Sequence, residues 1–592
     1  MLDEVESNDN DGGDGDEDVG ADVCNINGLL AEEYILGKLV PKTRRQYQLC
    51  VVKMKEWIKT NYPGEYDSSL EEMKLPLSEK AVIEFLASVS IHKKKVSAGG
   101  APSTVSISTV NLYRSAFKKH CSDRRVKIPE SIFQSISDFC AGFKRKVGQL
   151  KQTGEMSVLE GKQPITFDGY IFLAQCAIES KNDFGSNNFA HIFLLLCWNL
   201  MARSISVGKI MYNHISWSGD ALQITLPTHK GDQEGNHSYP RHVYANPLIP
   251  ELCPILSLAI YVFCSTFNRT GARMVLFSES NNEGRFSKWL GKTCSNREEK
   301  IRELGLCINM IGTHSFRKGI ATYVSSHPDG PSPVSIFLRA GWSLGNVQSR
   351  YIFAGSGGDQ FVGRTACGLP LSDRTFSLLP PHFERSTGPL MSDDAWENVL
   401  PGYRNFPSPF ISVLPYLVAS LSYHYDWIKS NYDSKHPIFN TRIWTSGVIE
   451  ELRPKILNGC TTNEKSGMTA SGIPATVAMA NRIYAVESQL QDIQNILKEN
   501  QTALIQDLPG AITQRILENC QINGAIPVSK QDILALIAEV RNQNNHLDAA
   551  APDIIMSASS DSGGLYDTWN WAKDSHDYVR FHPVPIDFEF PM

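Results

Sequence analysis

Apolar residues recur every three to four positions over most of this chain, a period that predicts a helical protein. The first helix carries Tyr47, Val51, Met54 and Ile58 on one face behind an N-cap at Thr43, and Asn61-Tyr62-Pro63-Gly64 ends it. Further helices are expected over Ser78 to Ser88, over Ser106 to His120 with Val110, Tyr113 and Phe117 on one face, and over Pro129 to Arg145. Two more cover 166–180 and 187–202. The second contains the densest apolar run, Phe193 to Met201, which is about half the length of a membrane span and reads as a buried helix. The period then shortens to that of strands at His214 to Trp217, Ala221 to Leu226 and His242 to Ala245. Ser218-Gly219-Asp220 makes the first turn, and the Gly/Asn-rich stretch Gly231 to Tyr239 joins the next two strands. Helices resume at 254–267, 285–304, 315–326 and 331–341. The fold class is mainly α with a small antiparallel sheet, an α+β protein.

The same pattern divides the chain. Residues 1–25 are Asp/Gly-rich and expected to be disordered. Residues 26–147 form an all-helical domain, 148–163 a polar linker, and 164–385 a mixed domain. No catalytic pattern appears in 386–470. Residues 471–508 hold a heptad with Ile483, Leu490, Leu497 and Leu504 at a and Met479, Val486 and Ile493 at d, with Asn500 as a polar d. This is either a coiled coil or an amphipathic helix packed within its own domain. The remainder, 509–592, includes a flexible Ala/Ser/Gly/Asp-rich stretch at 550–564.

Composition narrows the function classes. With 42% hydrophobic and 20% charged residues in 592, the chain is not disordered throughout. The acidic N-terminus is not a signal peptide. Thirteen cysteines, an odd number without a Cys-x-x-Cys pair, argue against a disulfide framework or zinc site and for a reducing compartment. The net charge of −6 hides a division: −10 in residues 1–22, +9 in 23–150 and −5 beyond, with the whole excess of base in 91–150. Such a basic module suits a polyanion, with Lys93, Lys94, Lys95, Arg114, Lys118, Lys119, Lys144 and Arg145 as candidate phosphate contacts. The plainer reading is a solvated helical surface.

The chemistry concentrates in Gly312-Thr313-His314-Ser315-Phe316-Arg317-Lys318-Gly319, followed by Arg339-Ala340-Gly341-Trp342-Ser343-Leu344-Gly345 and Arg350-Tyr351. The Gly341-Trp342 pair is expected to open a helix after a loop, with Tyr351 nine residues past Trp342. Upstream, Arg203 leaves the apolar helix, and Lys230 lies in Thr228-His229-Lys230-Gly231, where a strand meets a loop. This order resembles the tyrosine recombinase (phage-integrase type) family, whose site has two arginines, a β-hairpin lysine, a histidine, a His or Trp and a nucleophilic tyrosine. The counterparts here are Arg203, Lys230, His314, Arg317, Trp342 and Tyr351. Lys209 and Lys318 are rivals for the lysine role. Many members carry an acidic residue three positions after the first arginine, where this chain has Ser206.

The resemblance implies a mechanism without metal, ATP or other cofactor. Two guanidiniums clamp the non-bridging oxygens of a phosphodiester. His314 removes the Tyr351 proton, Lys230 protonates the leaving 5′-oxygen, and Trp342 donates to a phosphate oxygen. The product is a 3′-phosphotyrosine and a free 5′-hydroxyl. It also implies a helical core-binding domain at 26–147, double-stranded DNA as partner, a nuclear location and a tetramer on DNA. The stretch after Tyr351, Ile352 to Phe361 with Gly355, Gly357 and Gly358, is expected to be mobile and to reach a neighbouring protomer.

His-Ser-Phe-Arg-Lys-Gly, Arg-Ala-Gly-Trp and Thr-His-Lys-Gly-Asp-Gln-x-Gly are similar to the eukaryotic crypton branch, DNA transposons that encode such a recombinase, over roughly 30–385. The segments Tyr566 to Trp571 and Phe581 to Pro585 resemble the start of a DNA-binding domain at the end of some cryptons, which would here be truncated. Alternatives are a domesticated protein that binds DNA without cutting it, a recombinase of a retrotransposon, and a type IB topoisomerase. The last fits the Gly-Trp spacing and the basic module less well.

Overall fold

The computed structural model describes residue 30, residues 33–34, 37–91, 104–158, 161–228, 234–235, 239–265, 274–342, 357–384 and 389–523, and four positions between 531 and 538. The acidic N-terminal segment and the aromatic segments after residue 565 lie outside the described residues.

Along the chain the elements are α1 (Pro41–Asn61), β1 (Tyr66–Asp67), β2 (Glu72–Met73), α2 (Glu79–Val89), α3 (Ile107–Asp123), α4 (Glu130–Gln152), α5 (Phe167–Ile178) and α6 (Phe184–Asn199). They continue with α7 (Ser204–Val207), β3 (Ile215–Ser218), β4 (Ala221–Thr225), β5 (Pro240–Val243), α8 (Pro254–Cys264), α9 (Asn282–Asn296), α10 (Glu298–Glu303), α11 (Thr313–Ser325), α12 (Pro333–Ala340) and α13 (Gly357–Ala366). Short helices and two-stranded ribbons follow, among them the buried α14 (Leu414–Tyr423), before the 49-residue α15 (Ala475–Asn523). The architecture is mainly helical with small antiparallel sheets. Among the described residues no helix is long and apolar enough to cross a membrane.

Several boundaries have local causes. Ser78, Ser106 and Thr166 cap α2, α3 and α5 by accepting from the backbone N–H three residues on. Helix α1 begins at Pro41 rather than after Thr43, because proline at N1 presets φ and has no N–H to leave unpaired. Helix α4 runs to Gln152, through part of the span expected to be linker. The helix expected over 285–304 breaks at Arg297 into α9 and α10.

The described residues fall into two compact units. The first draws on Met1–Tyr212, Ile260–Ser326 and Ile428–Thr441. Within it, α1 to α4 share a core in which Phe85 meets Trp57 and Tyr113 edge-on at 5.7 and 5.6 Å. A second core surrounds α6, whose buried face takes in almost every residue from Asn187 to Asn199. Phe193 lies 5.3 Å from Phe277 and 4.8 Å from Phe286. Tyr170 stacks on Trp198 at 4.2 Å.

The second unit draws on Asn213–Ala259, His327–Trp427 and Arg442–Met592. Its three-stranded sheet runs β3-β4-β5, antiparallel throughout, with Ile215 opposite Ile224 and Leu222 opposite Val243. Helix α13 lies on β5 so closely that a Cβ at Gly363 would collide with the His242 carbonyl. Arg364 on the same helix pairs with Asp220 in the first turn, both wholly buried. Asp220 also accepts from the backbone N–H and hydroxyl of Ser471, at 3.1 and 2.6 Å. One carboxylate thus ties the hairpin turn, α13 and the approach to α15 together.

Candidate functional site

The first unit brings three of the six sequence-derived site residues into one neighbourhood. Helix α6 ends in a Schellman motif: Met201 N–H donates to the Trp198 carbonyl (3.0 Å) and Ala202 N–H to that of Cys197 (3.3 Å). Met201 takes the left-handed conformation at φ +49°, a place usually given to glycine, at a cost of about 1–2 kcal/mol. Its carbonyl accepts from Arg317 Nη1 at 2.8 Å. Arg203, two residues on, stands at the N-cap of α7 and is half-buried. The end of α6 therefore presents one arginine and a carbonyl that seats the other.

Helix α11 supplies that other arginine. Ser315 closes its first turn by accepting from Gly312 N–H at 3.1 Å, and its carbonyl accepts from Ile165 N–H at 3.1 Å. Gly319 lets the Ile165 backbone lie directly against the helix, where a Cβ would collide with the Ile165 carbonyl. His314 and Arg317 are three residues apart and so share a face. His314 is exposed, whereas Arg317 is only 9% exposed. Burial, and then the positive charge of Arg203, pull the Arg317 guanidinium down to about 10. Segments 114 residues apart in sequence thus set one cation against another, an arrangement that favours an arriving anion.

The other predicted residues stand as follows. Lys230 and Tyr351 lie outside the described residues. Lys318, a rival for the lysine role, donates to the Lys162 carbonyl at 2.7 Å, while Lys209 is exposed. Ser206 takes part through its backbone, donating to the Arg203 carbonyl at 2.9 Å. Trp342 belongs to the second unit. The Gly341-Trp342 pair closes a helix rather than opening one. Gly341, at φ +63°, and Trp342 donate to the carbonyls of Leu338 and Phe337 (both 2.9 Å), and the Trp342 ring lies 5.4 Å from that of Phe337. This is a second Schellman motif with its apolar contact, built on glycine because the left-handed residue needs no Cβ. The indole remains 37% exposed.

Of the stretch after Tyr351, only the later part lies among the described residues. From Gly357 onward it is helix, with Asp359 buried and Val362 fully so. Buried ion-pairing of Asp359 holds that part in the second unit. Residues 352–356 lie outside the described residues.

Of the candidate phosphate contacts, Lys93, Lys94 and Lys95 lie outside the described residues. Lys144 and Arg145 are exposed on α4. Lys118 sits over the Phe133 ring at 3.8 Å and is lowered by burial and by Arg114, and Lys119 pairs with Asp123. Sequence reasoning missed a second basic cluster. Lys38, Arg44, Lys55, Lys119 and Arg124 line a cleft of about 470 Å³ between α1 and α3. Glu72 pairs with Lys55 (2.9 Å) and Arg124 at its edge. Base and acid balance over 23–90, so a running charge count conceals Lys38, Arg44 and Lys55, which folding sets beside Arg124 and the candidate Lys119.

No family model matches the chain, and no curated protein matches it. Among solved structures the chain is similar to the XerH site-specific recombinase bound to its difH substrate in a pre-cleavage complex. That match has 10% sequence identity and a TM-score of 0.24, over 51% of this chain and 91% of that one.

Proposed function

We propose that this chain is a site-specific DNA recombinase that cuts and rejoins duplex DNA through a 3′-phosphotyrosine intermediate, and that it mobilises a crypton-like transposon in the nucleus. The observation that carries the reading is that Arg317 is seated on the Met201 carbonyl, two residues before Arg203, and feels the Arg203 charge. Two cations placed so that one depresses the other are stabilised when a phosphodiester enters between them. The order of residues along the chain supplies the rest. Tyr351 gives its phenolic proton to His314 and attacks phosphorus. The new P–O bond to Tyr351 forms as the bond to the 5′-oxygen breaks, and that oxygen takes a proton from Lys230. Trp342 donates its indole N–H to a phosphate oxygen. One phosphoester replaces another, so rejoining is the same exchange in reverse.

Duplex DNA is held by the basic helices through phosphates: Lys93 to Lys95, Lys144, Arg145 and the cations around the α1–α3 cleft. Exchange between two duplexes needs four sites, hence a tetramer on DNA. Helix α15 supports self-association, because Met479, Ile483, Val486, Leu490, Ile493 and Leu497 each expose more than half their surface along one heptad stripe. In a parallel pair Arg482 at g faces Glu487 at e of the partner heptad, an attractive pairing.

The test is a nicked suicide substrate that traps the covalent complex. Wild type should form an adduct and Tyr351→Phe should form none while still binding DNA. An adduct in the mutant assigns the chemistry to another tyrosine. DNA binding without any wild-type adduct leaves the non-cleaving reading.

A further inference from the structure

The second unit contains a buried charge cluster, two of whose members, Arg339 and Asp359, flank Tyr351 in sequence. Arg339, in the last turn of α12, donates through Nη1 to Asp359 Oδ1 at 2.6 Å and through Nη2 to the His242 carbonyl at 2.7 Å. Asp359, in the first turn of α13, accepts from the His242 backbone N–H at 2.9 Å and lies 2.8 Å from His242 Nδ1. With Nδ1–H donating to the carboxylate, His242 Nε2 accepts from the Gln223 amide at 3.0 Å on β4. All three charged or polar side chains are under a tenth exposed. Burial pushes the Asp359 carboxyl up, but the Arg339 charge and the two His242 hydrogen bonds outweigh it and hold it at about 2.

Stability alone does not call for this cluster. A buried ion pair is often matched or surpassed by apolar side chains of the same volume, because both ions must be desolvated. Its distinctive property is geometric. Only one placement of the end of α12, the start of α13 and strand β5 satisfies these hydrogen bonds together, whereas an apolar contact tolerates sliding. Arg339 lies twelve residues before Tyr351 and Asp359 eight residues after it.

We propose that Arg339, Asp359 and His242 are positioning residues for the nucleophile: they clasp both ends of the segment that carries Tyr351 onto strand β5. The proposal rests on the reading of Tyr351 as nucleophile. None of the three is among the residues read as holding the phosphate or attacking it, so loss of the clasp acts on the rate of attack rather than on DNA affinity. A displacement of about 1 Å at a reacting group costs on the order of 100-fold in rate.

The experiment measures single-turnover adduct formation by the full chain on a nicked duplex, alongside DNA affinity and thermal unfolding. Asp359→Asn should slow adduct formation on the order of 100-fold, with affinity unchanged within about twofold. Should that variant be destabilised, Arg339→Met combined with Asp359→Leu replaces the pair by apolar bulk. It should unfold near the wild-type temperature and still form adduct slowly. Arg339→Lys keeps the charge but not the two-pronged reach, and should be intermediate. Wild-type adduct rates in Asp359→Asn, or in the folded double variant, overturn the clasp and leave the Tyr351 reading standing. A wild-type chain that forms no adduct at all overturns the Tyr351 reading, and the clasp with it.

Discussion

Arg317 in the first unit and Arg364 in the second are both buried guanidiniums, in opposite electrical surroundings. Arg364 meets the Asp220 carboxylate, donates to the carbonyls of Phe376 and Leu378 at 2.9 and 3.1 Å, and stacks over the Tyr244 ring. Arg317 donates to the neutral Met201 carbonyl and is depressed by burial and by Arg203. A buried cation balanced by an anion holds the chain together. One set beside a second cation becomes more favourable when an anion binds. The contrast is one of charge more than of burial, since Arg364 is wholly buried and Arg317 only 9% exposed.

The largest expected effect tests the scaffold side. Arg364→Met leaves Asp220 buried without its counter-ion and should cost about 3–5 kcal/mol in urea unfolding. A loss under about 1 kcal/mol would mean that water reaches Asp220 and would erase the contrast. Next, Arg317→Met should lower cleavage of bound DNA by about 2–4 kcal/mol of transition-state stabilisation, with unfolding free energy changed by less than that. A variant that unfolds easily yet cleaves normally once folded would reverse the assignment.

The buried histidines sharpen the comparison through pH. Burial lowers His424 in the second unit to about 4, and among the described residues its Nε2 has no hydrogen-bond partner. His436 in the first unit is likewise brought to about 4 by burial, against the opposing pull of Asp433, and lies 2.9 Å from Asn188 Oδ1. Each is neutral in the fold but protonates near pH 6.5 when unfolded. Stability is therefore complete above about pH 6.5 and falls as pH drops toward 4, by on the order of 3 kcal/mol for His424. Denaturation midpoints measured across that range should fall less steeply in His424→Phe. An identical slope would show that His424 does not titrate with unfolding.

Gly319→Ala tests the seat of α11. The added methyl presses on the Ile165 carbonyl and should destabilise the chain by about 1–3 kcal/mol. Cleavage should slow as well, because Arg317 rides on that helix. Normal cleavage with normal melting would show that α11 shifts freely. The smallest effect belongs to the exposed cations. Lys144→Gln with Arg145→Gln should weaken binding to all DNA sequences alike and flatten the slope of log affinity against log salt by about 2. An unchanged slope would place α4 away from the duplex.

The predictable parts of this molecule were those decided by neighbours in sequence. The caps at Ser78, Ser106 and Thr166, the all-round burial of α6 and the three short strands each follow from side chains within a few positions of one another. Gly341-Trp342 was misread because a glycine before an aromatic serves equally as a loop leading into a helix and as the left-handed end of one. The carbonyls of Leu338 and Phe337 decide between the two. Met201 carries no sign of its positive φ, since methionine rarely adopts that conformation, and only its fully buried side chain and the waiting Arg317 make the position intelligible.

Read along the chain, the residues already establish a mainly helical protein with a small antiparallel sheet, a locally basic N-terminal region and the order Arg203, Lys230, His314, Arg317, Trp342, Tyr351. Periodicity, composition and order are properties of the chain read along its length. Which charges face which was decided by tertiary structure alone. Arg317 meets Arg203 from 114 residues away, Arg364 meets Asp220 from 144, and Arg339 meets Asp359 from 20. The Coulomb interaction depends on distance in space and on the burial around each pair, and the linear sequence specifies neither until the core has closed.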